Sequence, residues 1–268
     1  MLAAATFVAT SAALAMSTPA SAASVGYVRL AHFSPDTPPV DVYLSSVSGA
    51  VPEKVFRAVG YGALSSYLTL PTGTYGVAMR LAGHTGDAVV STAVTVTAGG
   101  AYTVAGVGTK ADLGLRVLTD DLKLPDPGKA KVRIVQASVL APSLSVSQVG
   151  GGAIADGVTF ATTTPYQQVS PGAWALKIQA TGATSSTTVN CTLVEGDVYS
   201  LLVLDGKNNA TTAKLVTDAK RSGGGMPVGG VETGAGGSRG FHPLPVVAGL
   251  ILVALFGAAV VTQVRQRT

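Results

Sequence analysis

The chain has 268 residues, 12% of them charged, with 18 basic against 14 acidic side chains and a formal net charge of +4. So thin a charge leaves no basic stripe, which excludes nucleic acid as a partner. A single cysteine, Cys191, excludes an intrachain disulfide, and no His/Cys spacing of the zinc type occurs.

Residues 1–23 read as a signal peptide. MLAAATFVATSAALAM is apolar and small, Thr18-Pro19 breaks it, and Ala20-Ser21-Ala22 supplies the small-x-small cleavage pattern. The stretch lacks a basic n-region, which points to a start upstream of Met1. An exported protein is implied.

Residues 24–121 alternate short β-branched runs with turn residues, the pattern of an all-β domain. Strands are expected near 27–32, 40–45, 53–58, 63–70, 74–82, 89–97, 101–108 and 114–120. Val94, Val96 and Tyr102, Val104 alternate with polar residues around Gly99-Gly100, as in a hairpin. A stiff linker with two prolines occupies 122–130.

Residues 131–219 repeat the first segment. Tyr27-Val28-Arg29-Leu30-Ala31-His32 aligns with Lys131-Val132-Arg133-Ile134-Val135-Gln136, Tyr67 with Tyr166, and Leu118-Thr119-Asp120 with Val216-Thr217-Asp218. A period this long means tandem domains rather than a solenoid. Strands are expected near 131–137, 143–149, 156–161, 166–169, 173–180, 187–195, 197–205 and 212–218. So many short strands in each half argue for two tandem immunoglobulin-like β-sandwich domains, each folding as its own unit. Val189, Cys191 and Leu193 share one strand face, so Cys191 is expected to be a small core residue.

Residues 220–243 form a glycine-rich stalk, a flexible coil with a mean reach of about 25 Å. Residues 244–262 (LPVVAGLILVALFGAAVVT) carry no charge and are long enough for a transmembrane helix. Arg265 and Arg267, in the tail 263–268, mark the cytoplasmic side, so the β domains are expected outside the cell. Val231-Glu232-Thr233-Gly234, then an apolar span, then arginines has the order of a sortase sorting signal. A sortase would cut between Thr233 and Gly234, whereas a plain anchor would keep the helix.

The stretch Val28-Arg29-Leu30-Ala31-His32-Phe33-Ser34-Pro35-Asp36, then Val40-Asp41-Val42-Tyr43, then Tyr67-Leu68-Thr69-Leu70-Pro71-Thr72-Gly73-Thr74-Tyr75 carries a family likeness. Over roughly 25–219 the chain resembles the exported bacterial envelope family built on domain of unknown function 4397. The resemblance implies a β-sandwich repeat and brings no established activity. In the second half Ser138-Val139-Leu140-Ala141-Pro142 replaces the Ser-Pro-Asp segment, which confines any role of that segment to the first half.

Candidate chemistry is sparse. His32, Ser34 and Asp36 alternate along one strand about 7 Å apart, too far for a catalytic relay, and are read instead as a ligand-contact loop. Asp36 and Asp41 are weak metal candidates, since a hard cation wants six or more oxygens. Asp120 and Asp218, at matching strand ends, are read as turn or capping residues. No cofactor is expected. The sequence-level reading is a non-enzymatic cell-surface protein displaying two sandwiches for adhesion or ligand contact. Its partners would be the membrane, a cell-wall or extracellular polymer or protein, and a sortase. The alternative is a structural spacer of the envelope.

Overall fold

The computed structural model describes residues 24–84, 86–225 and 227–228. The expected signal peptide, the rest of the expected stalk with Thr233 and Gly234, the 244–262 span and the tail 263–268 lie outside the described residues. Among the described residues no helix is long and apolar enough to cross a membrane.

The first repeat contains β1 (Val25–Phe33), β2 (Val40–Ser46), β3 (Lys54–Val59), β4 (Ala63–Leu64), β5 (Leu68–Pro71), β6 (Gly73–Leu81), β7 (Val90–Val96), β8 (Ala101–Val107) and β9 (Gly114–Thr119). The second contains β10 (Ala130–Gln136), β11 (Ser143–Gln148), β12 (Ala153–Thr159), β13 (Thr162–Thr163), β14 (Gln167–Val169), β15 (Gly172–Ala180), β16 (Thr187–Leu193), β17 (Val198–Asp205) and β18 (Thr211–Ala219). The protein is all-β, and both halves share one topology. A five-stranded sheet runs β4-β1-β8-β9, with β5 also on β1, and faces a four-stranded sheet β3-β2-β6-β7. The second half repeats this as β13-β10-β17-β18, with β14 on β10, and β12-β11-β15-β16. In both, the first strand runs parallel to its long neighbour, β1 to β8 and β10 to β17.

Each sheet pair closes over its own core. Val28, Leu30 and Val104 from one sheet meet Val42, Val77 and Met79 from the other in the first repeat. Val132, Ile134 and Leu201 meet Leu144, Val146 and Ile178 in the second. Cys191 lies half-buried against that second core, opposite Trp174, and burial pushes its thiol pKa up.

A third core lies between the repeats. Ala31, Phe33, Leu64, Ala105 and Val107 pack on Val135, Leu202, Leu204 and Val216. The five-stranded sheets therefore stack back to back, and the layers run four-stranded, five-stranded, five-stranded, four-stranded. This explains why β10 is buried along its whole length and β1, β8 and β17 nearly so. A strand covered on both faces shows a run of buried residues rather than an alternation.

Two sequence-level expectations change. The Gly99-Gly100 turn is not a hairpin: β7 pairs with β6 and β8 pairs with β1 and β9, so the turn carries the chain from one sheet to the other. Backbone bonds from Gly99 N to Val25 O (2.7 Å) and Tyr27 N to Gly100 O (2.8 Å) fix the crossing. Gly26 is needed there, since a Cβ would stand 2.5 Å from Thr97 O. The single strand expected at 63–70 is divided into β4 and β5. At the break the Ser65 hydroxyl, not a carbonyl, accepts the Leu30 N–H at 3.0 Å, and Thr164 does the same for Ile134 at 2.9 Å.

Candidate functional site

The interface between the repeats holds a buried polar network in two matching halves. In the first repeat Arg29 (β1) donates from Nε to Thr103 Oγ1 at 2.8 Å and lies over the Tyr67 ring at 4.5 Å. Asp120, just past β9, accepts from Thr103 (2.6 Å) and from the Tyr67 hydroxyl (2.7 Å). In the second repeat Arg133 (β10) donates from Nε to Ser200 Oγ at 2.9 Å and lies over the Tyr166 ring at 4.6 Å. Asp218 accepts from Ser200 (2.7 Å) and the Tyr166 hydroxyl (2.8 Å).

The carboxylates are then exchanged. Arg29 donates to Asp218 at 2.7 Å, and Arg133 donates to Asp120 at 2.6 Å. All four charged groups are at most 5% exposed. Burial opposes the guanidinium charges, but the aspartates and tyrosines around them hold both arginine pKa values above the ordinary one. Burial likewise pushes both Tyr67 and Tyr166 hydroxyl pKa values above 10.0. A buried ion pair offsets its desolvation only when geometry is good and every lone pair is used. Here two charges of each sign sit together, every carboxylate takes three hydrogen bonds, and the arginine forks are pinned by their own sheets. Tyr61 adds a further tie across the interface, donating to Ala137 O (2.6 Å) and accepting from Asp205 N (2.8 Å).

The turn or capping role expected for Asp120 and Asp218 is therefore corrected: both are partners of an arginine in the other repeat. The signal was in the sequence. Arg29 with Arg133, Tyr67 with Tyr166, and Asp120 with Asp218 recur in matching places in a chain where charge is scarce.

The expected ligand-contact loop is largely internal. His32 and Ser34 are fully buried, and only Asp36 of the three is exposed. Ser34 Oγ lies 2.6 Å from Thr37 Oγ1, and Asp36 accepts the Lys110 N–H at 2.7 Å. His32 makes no hydrogen bond of good geometry through either ring nitrogen, and burial, opposed by the nearby backbone of Thr37 and Pro38, lowers its pKa below 6.5. Its register partner on β8 is Gly106, where the second repeat pairs Gln136 with Val203. A Cβ on Gly106 would stand 2.8 Å from Met79 Sδ and 3.6 Å from His32 Nδ1. The missing side chain makes room chiefly for the Met79 thioether, with the imidazole at ordinary contact distance.

Asp41 lies apart from Asp36 in its contacts. It is buried on the outer side of β2, accepts the Ala58 N–H at 2.8 Å and meets Arg57 at 3.5 Å. Among the described residues no three His, Cys, Asp or Glu are placed to hold a metal ion. Beside Asp41 in register stands Arg80, whose guanidinium lies 4.6 Å from the centre of the Tyr43 ring.

This geometry defines a class: a β-sandwich protein in which two repeats are fused by their five-stranded sheets. A family likeness covers part of the sequence. Residues 26–147 match the family model of the Domain of unknown function (DUF4397), which bears out the resemblance read from the Val28–Asp36 and Val40–Tyr43 motifs. The match is shorter than the 25–219 expected; it takes in the first repeat, the linker and the second repeat up to Ser147. No curated protein is significantly similar in sequence. Among solved structures, the Bacillus anthracis TIE protein is similar at 10% identity and a TM-score of 0.23, over 68% of this chain and 34% of that one. The chain thus spans about a third of that protein's length. CBMbc, of family CBM26, from Eubacterium rectale Amy13K, solved in complex with maltoheptaose, is similar at 13% identity and a TM-score of 0.23, over 71% of this chain and 96% of that one. Likeness at this level carries no weight for function.

Proposed function

We propose that this is a non-enzymatic cell-surface protein that presents two fused immunoglobulin-like sandwiches for adhesion or ligand contact. The carrying observation is the reciprocal exchange of Asp120 and Asp218 between the repeats. It joins the five-stranded sheets, with their polar groups used inside the interface, and turns both four-stranded sheets outward as display surfaces.

The immunoglobulin-like reading rests on strand order. β1 and β5 pair as strands B and E do, and β3, β2, β6 and β7 follow as C′, C, F and G. β8 takes the place of strand A beside β1 but runs parallel to it. The 244–262 helix would hold this unit outside the membrane, and a sortase acting between Thr233 and Gly234 would move it to the wall. The purified full chain, incubated with envelope fractions and host-matrix components, is expected to bind at least one of them saturably. Binding to none would contradict the display reading in favour of a plain spacer.

A further inference from the structure

We infer that the outer face of the β3-β2-β6-β7 sheet binds a carboxylate-bearing polysaccharide, with a carboxylate on Arg80 and Arg57 and a sugar ring against Tyr43. This rests on the ligand-display reading and names the ligand class. The face is built for a flat, extended ligand. Alternation turns Val40, Val42 and Leu44 of β2 and Tyr75, Val77 and Met79 of β6 into the core. The outward set along β6 and β7 is then Thr74, Gly76 and Ala78 with Ser91, Ala93 and Thr95. These small side chains make a low floor, and the six steps from Thr74 to Arg80 span about 20 Å.

Tyr43 is the aromatic residue standing on that floor, opposite Ala78 in register and only partly buried. An aromatic ring with one polar end suits a sugar, which has an apolar ring face and hydroxyl edges. Thr74 and Thr95 bring their hydroxyls within 3.4 Å of each other on the same floor, ready for such edges.

The charges fix the rest. Asp41 is register-paired with Arg80, yet its carboxylate is taken by the Ala58 N–H and by Arg57. Arg80 has no carboxylate within ion-pair distance among the described residues, and its Nε is buried with no acceptor. Among the described residues its guanidinium instead lies over the Tyr43 ring, 4.6 Å from the centroid. Two arginines against one aspartate leave a net positive charge and a guanidinium fork without an anion. A planar carboxylate is the group that such a fork fits in two-point fashion. The second repeat lacks the set: Ser145 faces Gln179, Ser147 faces Lys177, and Asp156 stands near the place of Arg57. The site belongs to one end of the molecule.

The test is calorimetric titration of the full chain in detergent with polygalacturonate, with neutral dextran and inorganic phosphate in parallel. Saturable binding to polygalacturonate and none to dextran is expected. Arg80→Gln should weaken it at least about tenfold, the scale of one lost charge-assisted hydrogen bond. Arg57→Gln, at a side chain 72% exposed, should weaken it several-fold, as should Tyr43→Ala, with the circular dichroism of both variants unchanged. Lys177→Gln on the other outer sheet should leave it unchanged. No saturable binding to polygalacturonate, equal binding to dextran, or indifference to both arginine substitutions would overturn the inference. Displacement by phosphate at equal concentration would overturn the saccharide in favour of a bare anion site. Wild type and Arg80→Gln are also compared on the envelope and matrix fractions. Equal binding to one fraction by both would sink this site and leave display standing; binding to none would sink display itself.

Discussion

Asp120→Ala is the sharpest perturbation of the interface. The change removes the acceptor of three hydrogen bonds, at 2.6, 2.6 and 2.7 Å from Thr103, Arg133 and Tyr67. It leaves the Arg133 guanidinium, in a residue 3% exposed, with no direct carboxylate, facing only the Tyr166 ring and Ser200. Breaking a buried pair in this way costs about 3–5 kcal/mol, because one charge stays desolvated without compensation. That is a large share of the roughly 5–15 kcal/mol that holds a domain together. Trp174 provides the assay, since it is the single tryptophan and lies on β15 of the second repeat. Asp120 belongs to the first repeat, yet its loss should move the urea midpoint of Trp174 fluorescence together with that of far-ultraviolet circular dichroism. Asp218→Ala should cost about as much. Adding Arg133→Met to Asp120→Ala should return part of the loss, since an apolar side chain needs no partner. A Trp174 transition that stays put while the dichroism shifts would refute the reasoning, as would a loss under about 1 kcal/mol for both aspartates.

Three further outcomes are expected. Because the folded-state pKa of His32 lies below 6.5, the unfolded chain takes up the proton first on acidification, so the stability His32 contributes is whole above pH 6.5 and falls as pH drops toward the folded value; denaturant midpoints against pH should lose that slope in His32→Gln. Tyr67 and Tyr166 titrate above 10.0 in the folded chain, so their contribution is whole below pH 10 and is lost as pH rises beyond it; base titration should show unfolding set in above that point, with a shallower slope in Tyr166→Phe. Gly106→Val imposes the second repeat's residue on the first and should cost about 1–3 kcal/mol by overpacking against Met79 and His32; adding His32→Gln and Met79→Ile, the matching residues of the second repeat, should recover most of it in a thermal melt.

The strands were legible because turn residues bracket β-branched runs, and the duplication because Arg29, Tyr67 and Asp120 have counterparts in order. What connects to what was harder. The alternation on either side of Gly99-Gly100 looks the same whether the chain doubles back within a sheet or crosses to another, and only the free edge of β1 decides. The exchange between Asp120 and Arg133 was hidden for a related reason: a repeat seen alone points Asp120 to its own Arg29, whose Nε stands 3.8 Å away, and not to Arg133 of the other repeat at 2.6 Å. His32 is buried because alternation along β1 places it on the core side with Val28 and Leu30, beside Gly106 and Met79. Tyr43 and Arg80, far apart in sequence, meet only through the register of β2 on β6.

Limited trypsin digestion of intact cells, followed by mass spectrometry of what is released and what stays together, tests the central claim most directly. Lys123 and Lys129 are exposed in the linker, whereas Arg29, Lys131 and Arg133 are buried. The account predicts release of a fragment running from Ser24 to the exposed Lys220 or Arg221, or past them; if the linker is nicked, its halves should still travel as one particle on native sizing, held by the exchanged aspartates and the apolar contact of Phe33, Val107 and Leu202. Two separate particles after nicking would contradict the fused display unit, and a chain untouched until the cells are lysed would contradict its place on the surface.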